Sequence, residues 1–344
     1  MAFSAIIKPS DYFNTKLYTG TGSSNAQTGV GFQPDWIWLK NRSLSSNHHL
    51  VDAVRGITKE LRSNLTNTEA TDDQLITAFG SDGFTVGTSG SGNTNGDNYA
   101  SWNWKANGAG STNTVGSIDS TVSVNTASGF SIVKVLKSSS AVATIGHGLG
   151  VTPKMFIVKS IDAGNNWQVY HEATGATKAL YLNGSGVPVT TSGFFNNTAP
   201  TSTVLTLGSD GAFTGNTMII YCFADVQGFS KMGSYTGNGN ADGSFIYTGF
   251  KPAFVIIKES NGTNSWQMWD NKTSPYNLAN AYLQPNTTSA EISGNNQIDI
   301  LSNGIKLRSS NTANNGSGQS FIFMAFAEEP FVANSGESIP TTAR

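Results

Sequence analysis

The histidines and acidic residues are the side chains best suited to catalysis or metal binding, and their spacing in this sequence fits neither role. His48 and His49 are adjacent, and neighbours on a strand point to opposite faces, so the pair would make poor ligands for one metal ion. Asp82 and Asp242 stand in the segments SDGF and NADGS, where the preference of turns for Asp explains them without calcium. No GxSxG, HExxH or P-loop motif occurs. We therefore predict a non-enzymatic protein that needs no metal or cofactor.

Tryptophan pairs can form platforms that bind sugars, and the stretch GFQPDWIWLK (31–40) carries Trp36 and Trp38 on alternate residues. The stretch returns as GVTPKMFIVK (150–159) and as GFKPAFVIIK (249–258). All three copies share a Gly, a Pro three residues later, four apolar positions and a closing Lys. The residues that carry this structural signature are Gly31, Pro34, Trp36, Lys40, Gly150, Pro153, Lys159, Gly249, Pro252 and Lys258.

The three copies also show what the first tryptophans do. Trp36 aligns with Met155 and Phe254, and Trp38 aligns with isoleucine in both other copies. A sugar platform does not tolerate Met or Ile, whereas a protein core does. The residues between them are apolar as well, so we predict a strand that is buried on both faces at the centre of a packed unit.

Spacing downstream of the closing lysines extends the repeat. The position eight residues on holds His48, Trp167 or Trp266, and the position twelve residues on holds Asp52, His171 or Asp270. Asn64 and Asn183 follow their lysines by 24 residues, whereas Asn286 follows Lys258 by 28. The third copy therefore carries four extra residues. We predict three repeats, at 11–106, 128–226 and 227–329. An N-terminal arm (1–10) precedes them, a Gly/Ser/Thr-rich linker with room for a short strand (107–127) joins the first two, and a polar tail (330–344) follows.

Short β-branched and aromatic runs between Asn, Asp and Gly turns predict an all-β fold of three tandem β-sandwich or jelly-roll-like modules. Two segments leave a short helix open. They are DAVRGITKELRSN (52–64), whose counterpart in the second copy favours strand or irregular chain, and TEATDDQLITAF (68–79), which has a candidate N-cap.

A pair of carboxylates of the glycosidase type stays open as an alternative. Asp52 and Asp270 occupy equivalent positions, but His171 stands there in the second copy, which favours a structural role. No motif selects two partners among the acidic residues that could serve, which are Asp52, Asp72, Asp73, Glu172 and Asp270.

Aromatic residues are the remaining candidates for ligand binding. Trp167 and Trp266 occupy a repeated position, which favours packing over recognition, and His48 stands at that position in the first copy. Trp269 is not repeated and is the freest of these four candidates. Loops that differ between the copies are where we expect a binding surface.

Composition limits the partners. Only 12% of the residues are charged, the formal net charge is −2 and no Lys/Arg run occurs, so nucleic acid and anionic membranes are poor partners. The single cysteine, Cys222, excludes an intrachain disulfide. The N-terminal residues lack the apolar core of a signal peptide and no run is long enough for a membrane span, so we expect synthesis in a cytoplasm without export or membrane insertion.

The strings GFQPDWIWLKNRS, SDGFTVG, NYASWNWKA, IGHGLGVTPKMFIVKS and YCFADVQGFSKMGSYTGNGNADGSFIYTGFKPAFVIIK resemble a repeated domain of unknown function from bacteriophage virion proteins. The resemblance covers roughly 11–329. The domain is familiar from marine and cyanobacterial phages, where proteins that contain it are often labelled tail fibre or receptor-binding. The first copy departs from the family pattern where HHLVD replaces a Trp-led strand.

This resemblance implies a structural component of a virion, a tail fibre or tail appendage that attaches to the host surface, with a capsid or tail decoration protein as the alternative and a polysaccharide-degrading enzyme as a remote one. It further implies other virion proteins as partners, a homo-oligomer that we expect to be a trimer, and a host surface glycan or protein as a candidate receptor.

Overall fold

The computed structural model describes residues 6–330, and in this part of the chain the secondary structure is almost entirely antiparallel strand. Its α-helices are single turns, at Gly90–Asn93 (α1), Ser192–Phe195 (α2) and Thr312–Asn315 (α3). A 3-10 turn at Pro9–Asp11 precedes the first strand. The predicted all-β fold is confirmed. The tail after Pro330 and the first five residues of the arm lie outside the described residues.

The first repeat forms two sheets from nine strands. Their bounds are Phe13–Thr19 (β1), Asn25–Thr28 (β2), Trp36–Asn41 (β3), His48–Asp52 (β4), Lys59–Leu61 (β5), Ala70–Thr71 (β6), Ala78–Gly80 (β7), Gly83–Val86 (β8) and Asn98–Trp104 (β9). The sheet that contains the signature strand β3 has the order β1-β9-β3-β4-β5-β6, and we call it the inner sheet. The other sheet has the order β2-β8-β7, and we call it the outer sheet; both names are kept for the equivalent sheets of the other repeats.

The second repeat is preceded by two strands that join its inner sheet. The bounds are Ser111–Asn113 (β10), Ser120–Asn125 (β11), Phe130–Lys137 (β12), Ala143–Gly146 (β13), Met155–Ser160 (β14), Gln168–His171 (β15), Lys178–Tyr181 (β16), Val189–Thr190 (β17), Val204–Leu207 (β18) and Asn216–Phe223 (β19). The inner sheet has the order β10-β11-β12-β19-β14-β15-β16-β17, and the outer sheet is the pair β13-β18.

The third repeat has two sheets of four strands. The bounds are Ser230–Thr236 (β20), Phe245–Tyr247 (β21), Phe250–Glu259 (β22), Gln267–Asp270 (β23), Ala279–Tyr282 (β24), Ile292–Leu301 (β25), Gly304–Leu307 (β26) and Ser320–Pro330 (β27). The inner sheet is β20-β27-β22-β23, and the outer sheet is β21-β26-β25-β24.

One order of four strands occurs in all three inner sheets. A lead strand pairs with the closing strand of its repeat, which pairs with the signature strand, which pairs with the strand that follows. This order is β1-β9-β3-β4, then β12-β19-β14-β15, then β20-β27-β22-β23. The shared sequence pattern therefore corresponds to a shared strand order, although the residue boundaries of the repeats stay a prediction.

The signature strands are buried on both faces, and in the first two repeats each lies between two separate cores. Trp36 and Trp38 point into a core that all three repeats share, whereas Ile37 and Leu39 point toward the outer sheet of the first repeat. The glycine that opens each signature stretch has a left-handed backbone, which residues with a Cβ adopt only with strain. Its φ is +90° at Gly31, +73° at Gly150 and +84° at Gly249.

The shared core, which we call the central core, makes one body of the three repeats. The ring of Trp36 stacks on Tyr221 of the second repeat with centroids 4.3 Å apart. Trp104 meets Phe254 of the third repeat at 5.9 Å, and Phe223 of the second meets Phe326 of the third at 6.0 Å. Side chains from three segments thus bury one another, and no repeat completes this core alone.

The structure refines two sequence expectations. The segment predicted as a linker with room for a short strand (107–127) supplies two strands, β10 and β11, which extend the second inner sheet. Of the two segments where a short helix was left open, neither forms one, and 52–64 contains strand and turns, as its counterpart in the second copy favoured. The one-turn helices fall instead before a strand of each repeat, where the sequences GSGN, SGFF and TANN give no helical periodicity.

Candidate functional site

The repeated positions meet at three joints, where one repeat contacts the next and the third contacts the first. We call them joint 1–2, joint 2–3 and joint 3–1. At joint 3–1, for example, Arg42 lies 2.6 Å from Glu291 and the amide of Ser46 donates to the carbonyl of Thr288. The three repeats therefore form a closed ring around the central core.

The position eight residues after each lysine reaches back to the preceding repeat. Trp167 donates its indole N–H to the carbonyl of Arg62 at 3.1 Å, and Trp266 donates to the carbonyl of Tyr181 at 3.0 Å. His48 closes the ring, with Nε2 3.1 Å from the carbonyl of Gln284. Each of these carbonyls stands two residues before the repeated asparagine of its own repeat.

That asparagine holds the same segment from the other side. The side-chain oxygens of Asn64, Asn183 and Asn286 accept the backbone N–H of the residue at the eighth position, at 3.0, 2.9 and 3.1 Å. An asparagine at this point therefore satisfies a buried backbone donor in each repeat. The four extra residues of the third copy fall before Asn286, and the loop between β23 and β24 is the longest of the three equivalents.

The position twelve residues after each lysine reaches forward to the following repeat. Asp52 accepts the hydroxyl of Tyr221 at 2.8 Å, and Asp270 accepts the indole N–H of Trp102 at 3.2 Å. His171 makes the corresponding contact through Nε2, 3.3 Å from the carbonyl of Phe323. Aspartate and histidine alternate at one position because either can satisfy a polar group across a joint.

Joint 1–2 also contains a fully buried ion pair. The guanidinium of Arg55 donates through Nε to Asp52 at 2.5 Å, and through Nη2 to the carbonyl of Leu50 at 2.9 Å. Its Nη1 lies 3.2 Å from Glu69. Burial raises the pKa of Asp270 at joint 3–1, against the hydrogen bonds from Thr273 and Trp102 that lower it. These carboxylates are occupied by structural partners and are placed inside the protein.

The signature lysines are buried beside the joints. Lys40 donates to the carbonyl of Thr288 at 3.1 Å across joint 3–1, and Lys159 donates to the carbonyl of Thr66 at 3.0 Å across joint 1–2. Lys258 departs from this pattern and bonds within its own repeat, to the carbonyl of Glu259 at 2.6 Å. Burial lowers the pKa of each of these three lysines to about 8.

Hydrogen-bond partners define the protonation of two joint histidines. In His48, Nδ1 accepts the indole N–H of Trp38 at 3.0 Å, so Nε2 carries the proton that it donates. His171 has the same arrangement, since Nδ1 accepts the amide of Ala173 at 3.1 Å. Burial lowers the pKa of His171 to about 4. Among residues 6–330, no group of three or more His, Cys, Asp or Glu side chains could hold a metal ion.

The four residues considered for ligand binding are therefore buried. His48, Trp167 and Trp266 lie in the joints and are at most 1% exposed. Trp269 is 1% exposed as well, donates to the carbonyl of Asn296 at 3.2 Å and packs on Tyr282. None of them presents a ring face to solvent, so a binding surface has to come from other residues.

The outer sheets are the candidates for such a surface, because they differ between the repeats. The strand before each signature stretch has one buried residue between two outward ones, and its pairing establishes the equivalence. The outward residues are Ala26 and Thr28 on β2, Thr144 and Gly146 on β13, and Phe245 and Tyr247 on β21. On β13 the backbone of Val115 to Ser117 pairs with the strand at the sheet edge and Gly146 is buried, and on β2 the side chains are small.

Only the third repeat places aromatic rings at these two positions. Phe245 is 47% exposed and Tyr247 is 53% exposed, while Ile246 between them is 4% exposed. The ammonium of Lys231 lies 5.4 Å from the centroid of the Tyr247 ring. We call the outward side of this sheet around Phe245, Tyr247 and Lys306 the repeat-3 outer face.

A third exposed aromatic residue belongs to the inserted loop. Tyr276 is 80% exposed and lies at the opposite edge of the same sheet, where Asn277 bonds the backbone of Ile300. Three strand spacings separate that edge from β21, roughly 14 Å.

Sequence reasoning missed the repeat-3 outer face because it followed the positions that the copies share. The signal was present in the segments NAQT, ATIG and SFIY, which precede the signature stretches. Alternation places the second and fourth residues of each segment on the outward side. Comparison of those residues alone would have singled out the third copy.

Comparison with known proteins supplies a family and no activity. No curated protein matches the chain. None of the helices within residues 6–330 is long and apolar enough to cross a membrane. The family model described as Domain of unknown function (DUF7483) matches residues 8–330, a range that covers all three repeats and the closed ring that they form. The chain therefore belongs to the DUF7483 family.

Proposed function

We propose that this protein is a non-enzymatic structural component of a bacteriophage particle, a tail fibre or tail appendage protein that contributes to attachment to the host surface. The observation that carries the proposal is the contrast between a closed ring of three similar inner sheets and one outer sheet that alone exposes aromatic rings. Such an arrangement suits a stable body that presents one recognition face.

The use of the reactive side chains supports the non-enzymatic part of the proposal. Asp52, His171 and Asp270 are buried and hydrogen-bonded across joints. A catalytic group has to reach a substrate, whereas these three are bonded to residues of their own repeat and of the neighbouring one. Their sequence equivalence is explained by the shared joint geometry.

The proposal places the protein in the virion, with other virion proteins and further copies of itself as partners. A homotrimer is the oligomer that we expect. The test is to image the purified phage particle and to assign density to this chain. A few tens of copies or fewer at the tail are expected. Density at the head, or hundreds of copies, would contradict the tail assignment.

A capsid or tail decoration protein is the second candidate. It is favoured by the compact closed ring, since residues 6–330 contain neither a coiled coil nor a β-helical shaft of the kind that extends a fibre. The same imaging separates the candidates, because decoration requires hundreds of copies on the particle surface.

A polysaccharide-degrading enzyme is the remote candidate. An open groove of about 460 Å3 lies between the first repeat and strands β10 to β12, and Asp119 is its one acidic lining residue in the described part of the chain. Glycosidases require two carboxylates that flank one bond. Incubation of the purified protein with host envelope polysaccharide, with chromatography of the products, tests this candidate.

A further inference from the structure

The repeat-3 outer face has a spacing that suits a chain of rings. Phe245 and Tyr247 are two residues apart on β21 and stand on the same side of the sheet. Residues so placed are about 6.6 Å apart along a strand. Both rings can therefore contact successive units of one extended ligand.

A glycine shapes the surface next to these rings. Gly304 pairs with Tyr247 on the neighbouring strand, and a Cβ at Gly304 would lie 2.1 Å from the carbonyl oxygen of Ile246 and 3.1 Å from the ring of Phe245. No side chain can occupy this position, and Gly304 itself is buried beside the ring of Phe245. The first repeat has Gly83 at the same place but lacks the rings.

Charges around the rings nearly balance. Lys306, the cross-strand partner of Phe245, lies 2.7 Å from Asp242, and Arg308 lies 3.3 Å from Asp299. Lys231 adds one positive charge beside Tyr247. A strongly acidic or basic ligand would find no complementary field here, whereas hydroxyl groups could bond to both signs of charge.

The apolar area is also small for a protein partner. Half-exposed rings present roughly 100 Å2 each, whereas each partner in a stable protein complex buries roughly 800 Å2. Stacking of ring faces on sugar C–H surfaces requires only such a small area.

We propose that the repeat-3 outer face binds an uncharged oligosaccharide, with Phe245 and Tyr247 stacking on neighbouring sugar units and the side chains of Asp242 and Lys306 bonding their hydroxyls. This inference deepens the proposed host-attachment function, on which its biological meaning rests, but the binding itself can be measured on the purified protein alone.

The experiment uses the purified chain and a panel of neutral hexose oligomers, namely α-1,4-glucan, β-1,4-glucan and β-1,4-galactan. Saturation-transfer NMR detects binding, and titration calorimetry gives the dissociation constant. We expect at least one oligomer to bind. The affinity should change less than about twofold when NaCl is raised from about 0.05 to about 0.5 M, because an uncharged ligand is not screened.

Variants locate the binding. Phe245→Ala with Tyr247→Thr installs the residues of β2 and should weaken binding at least tenfold, while Tyr247→Phe, which keeps the ring, should retain affinity within about threefold. Leu136→Ala removes an equally exposed apolar residue from the second repeat and serves as the control, since Leu136 is 57% exposed. Circular dichroism and thermal melting establish that each variant is folded.

Three results would overturn the proposal: no binding by any neutral oligomer, unchanged affinity in the double variant, or preference for a charged polymer such as polygalacturonate. Oligosaccharide binding by a protein that is absent from purified particles would refute the virion function and leave this inference standing. Incorporation of the protein into particles without oligosaccharide binding would refute this inference and leave the virion function standing.

Discussion

The joints and the outer faces are two regions built from the same repeat. The joints are alike in all three copies, whereas the outer faces differ. At the joints, positions eight and twelve residues after the signature lysine make the same contacts three times. On the outer sheets, equivalent positions carry small residues in the first two repeats and aromatic rings in the third. Residues that must satisfy a neighbouring repeat are constrained by geometry, whereas residues that face water are free to take up a function.

Removal of one buried charge should have the largest effect. Asp52→Ala leaves the guanidinium of Arg55 in joint 1–2 without its closest anion, and we expect a loss of about 3–5 kcal/mol in the free energy of unfolding. Urea unfolding monitored by tryptophan fluorescence measures it. Asp119→Ala, at an exposed aspartate, is the control and should change stability by less than about 0.5 kcal/mol. Equal losses of stability in the two variants would contradict the claim that the joints, and not the exposed surface, stabilise the protein.

Acid should weaken joint 2–3. The pKa of His171 is lowered to about 4 by burial, below the ordinary value of 6.5. The unfolded chain therefore binds a proton that the folded chain refuses, and stability falls as the pH drops from about 6.5 to about 4. Protonation would also place a hydrogen on Nδ1 against the amide of Ala173.

The contribution of His171 to this loss is at most roughly 3.4 kcal/mol, because its pKa lies about 2.5 below the ordinary value and each pKa unit corresponds to about 1.36 kcal/mol. Comparison of urea midpoints for the wild type and His171→Asn at pH 7 and pH 4 isolates it. The variant should show a shallower pH dependence; a parallel curve would mean that His171 titrates normally.

Deletion of one indole donor should cost less. Trp167→Phe keeps most of the ring but removes the indole N–H that the carbonyls of Arg62 and Leu65 share, and Arg62 retains only the amide of Leu65 as a donor; we expect a loss of about 1–3 kcal/mol. Trp266→Phe tests the equivalent bond at joint 2–3 and should give a similar value. A large effect at only one of the two would show that the joints are unequal in energy despite equal geometry.

The smallest change in stability is expected at the repeat-3 outer face. Phe245→Ala with Tyr247→Thr should alter the free energy of unfolding by less than about 0.5 kcal/mol, because both side chains are about half exposed. Ile246→Ala, at the residue between them, should cost about 2–5 kcal/mol since Ile246 is buried. Thermal melts of both variants measure the difference in stability between the exposed and the buried residues of this strand.

The fold class followed from the sequence because turn residues and β-branched runs are local signals. The role of Trp36 also followed, since three aligned copies separate packing from recognition where one copy cannot. The joints did not follow: spacing showed that His48, Trp167 and Trp266 are equivalent, but not that each donates to the preceding repeat. That information lies in the path of the chain between repeats, which no local pattern encodes.

Closure of the ring has a consequence for how this chain is made. Arg42 meets Glu291 and Ser63 meets Pro285, contacts that join the first repeat to the third across more than 220 residues. During synthesis we therefore expect the part of the central core that belongs to the first repeat to stay uncovered until the third repeat has left the ribosome. Folding with contacts of such long range is slow and exposes apolar surface to aggregation. A chain truncated before Gln284 should accordingly lose not one third of the molecule but the stability of all of it.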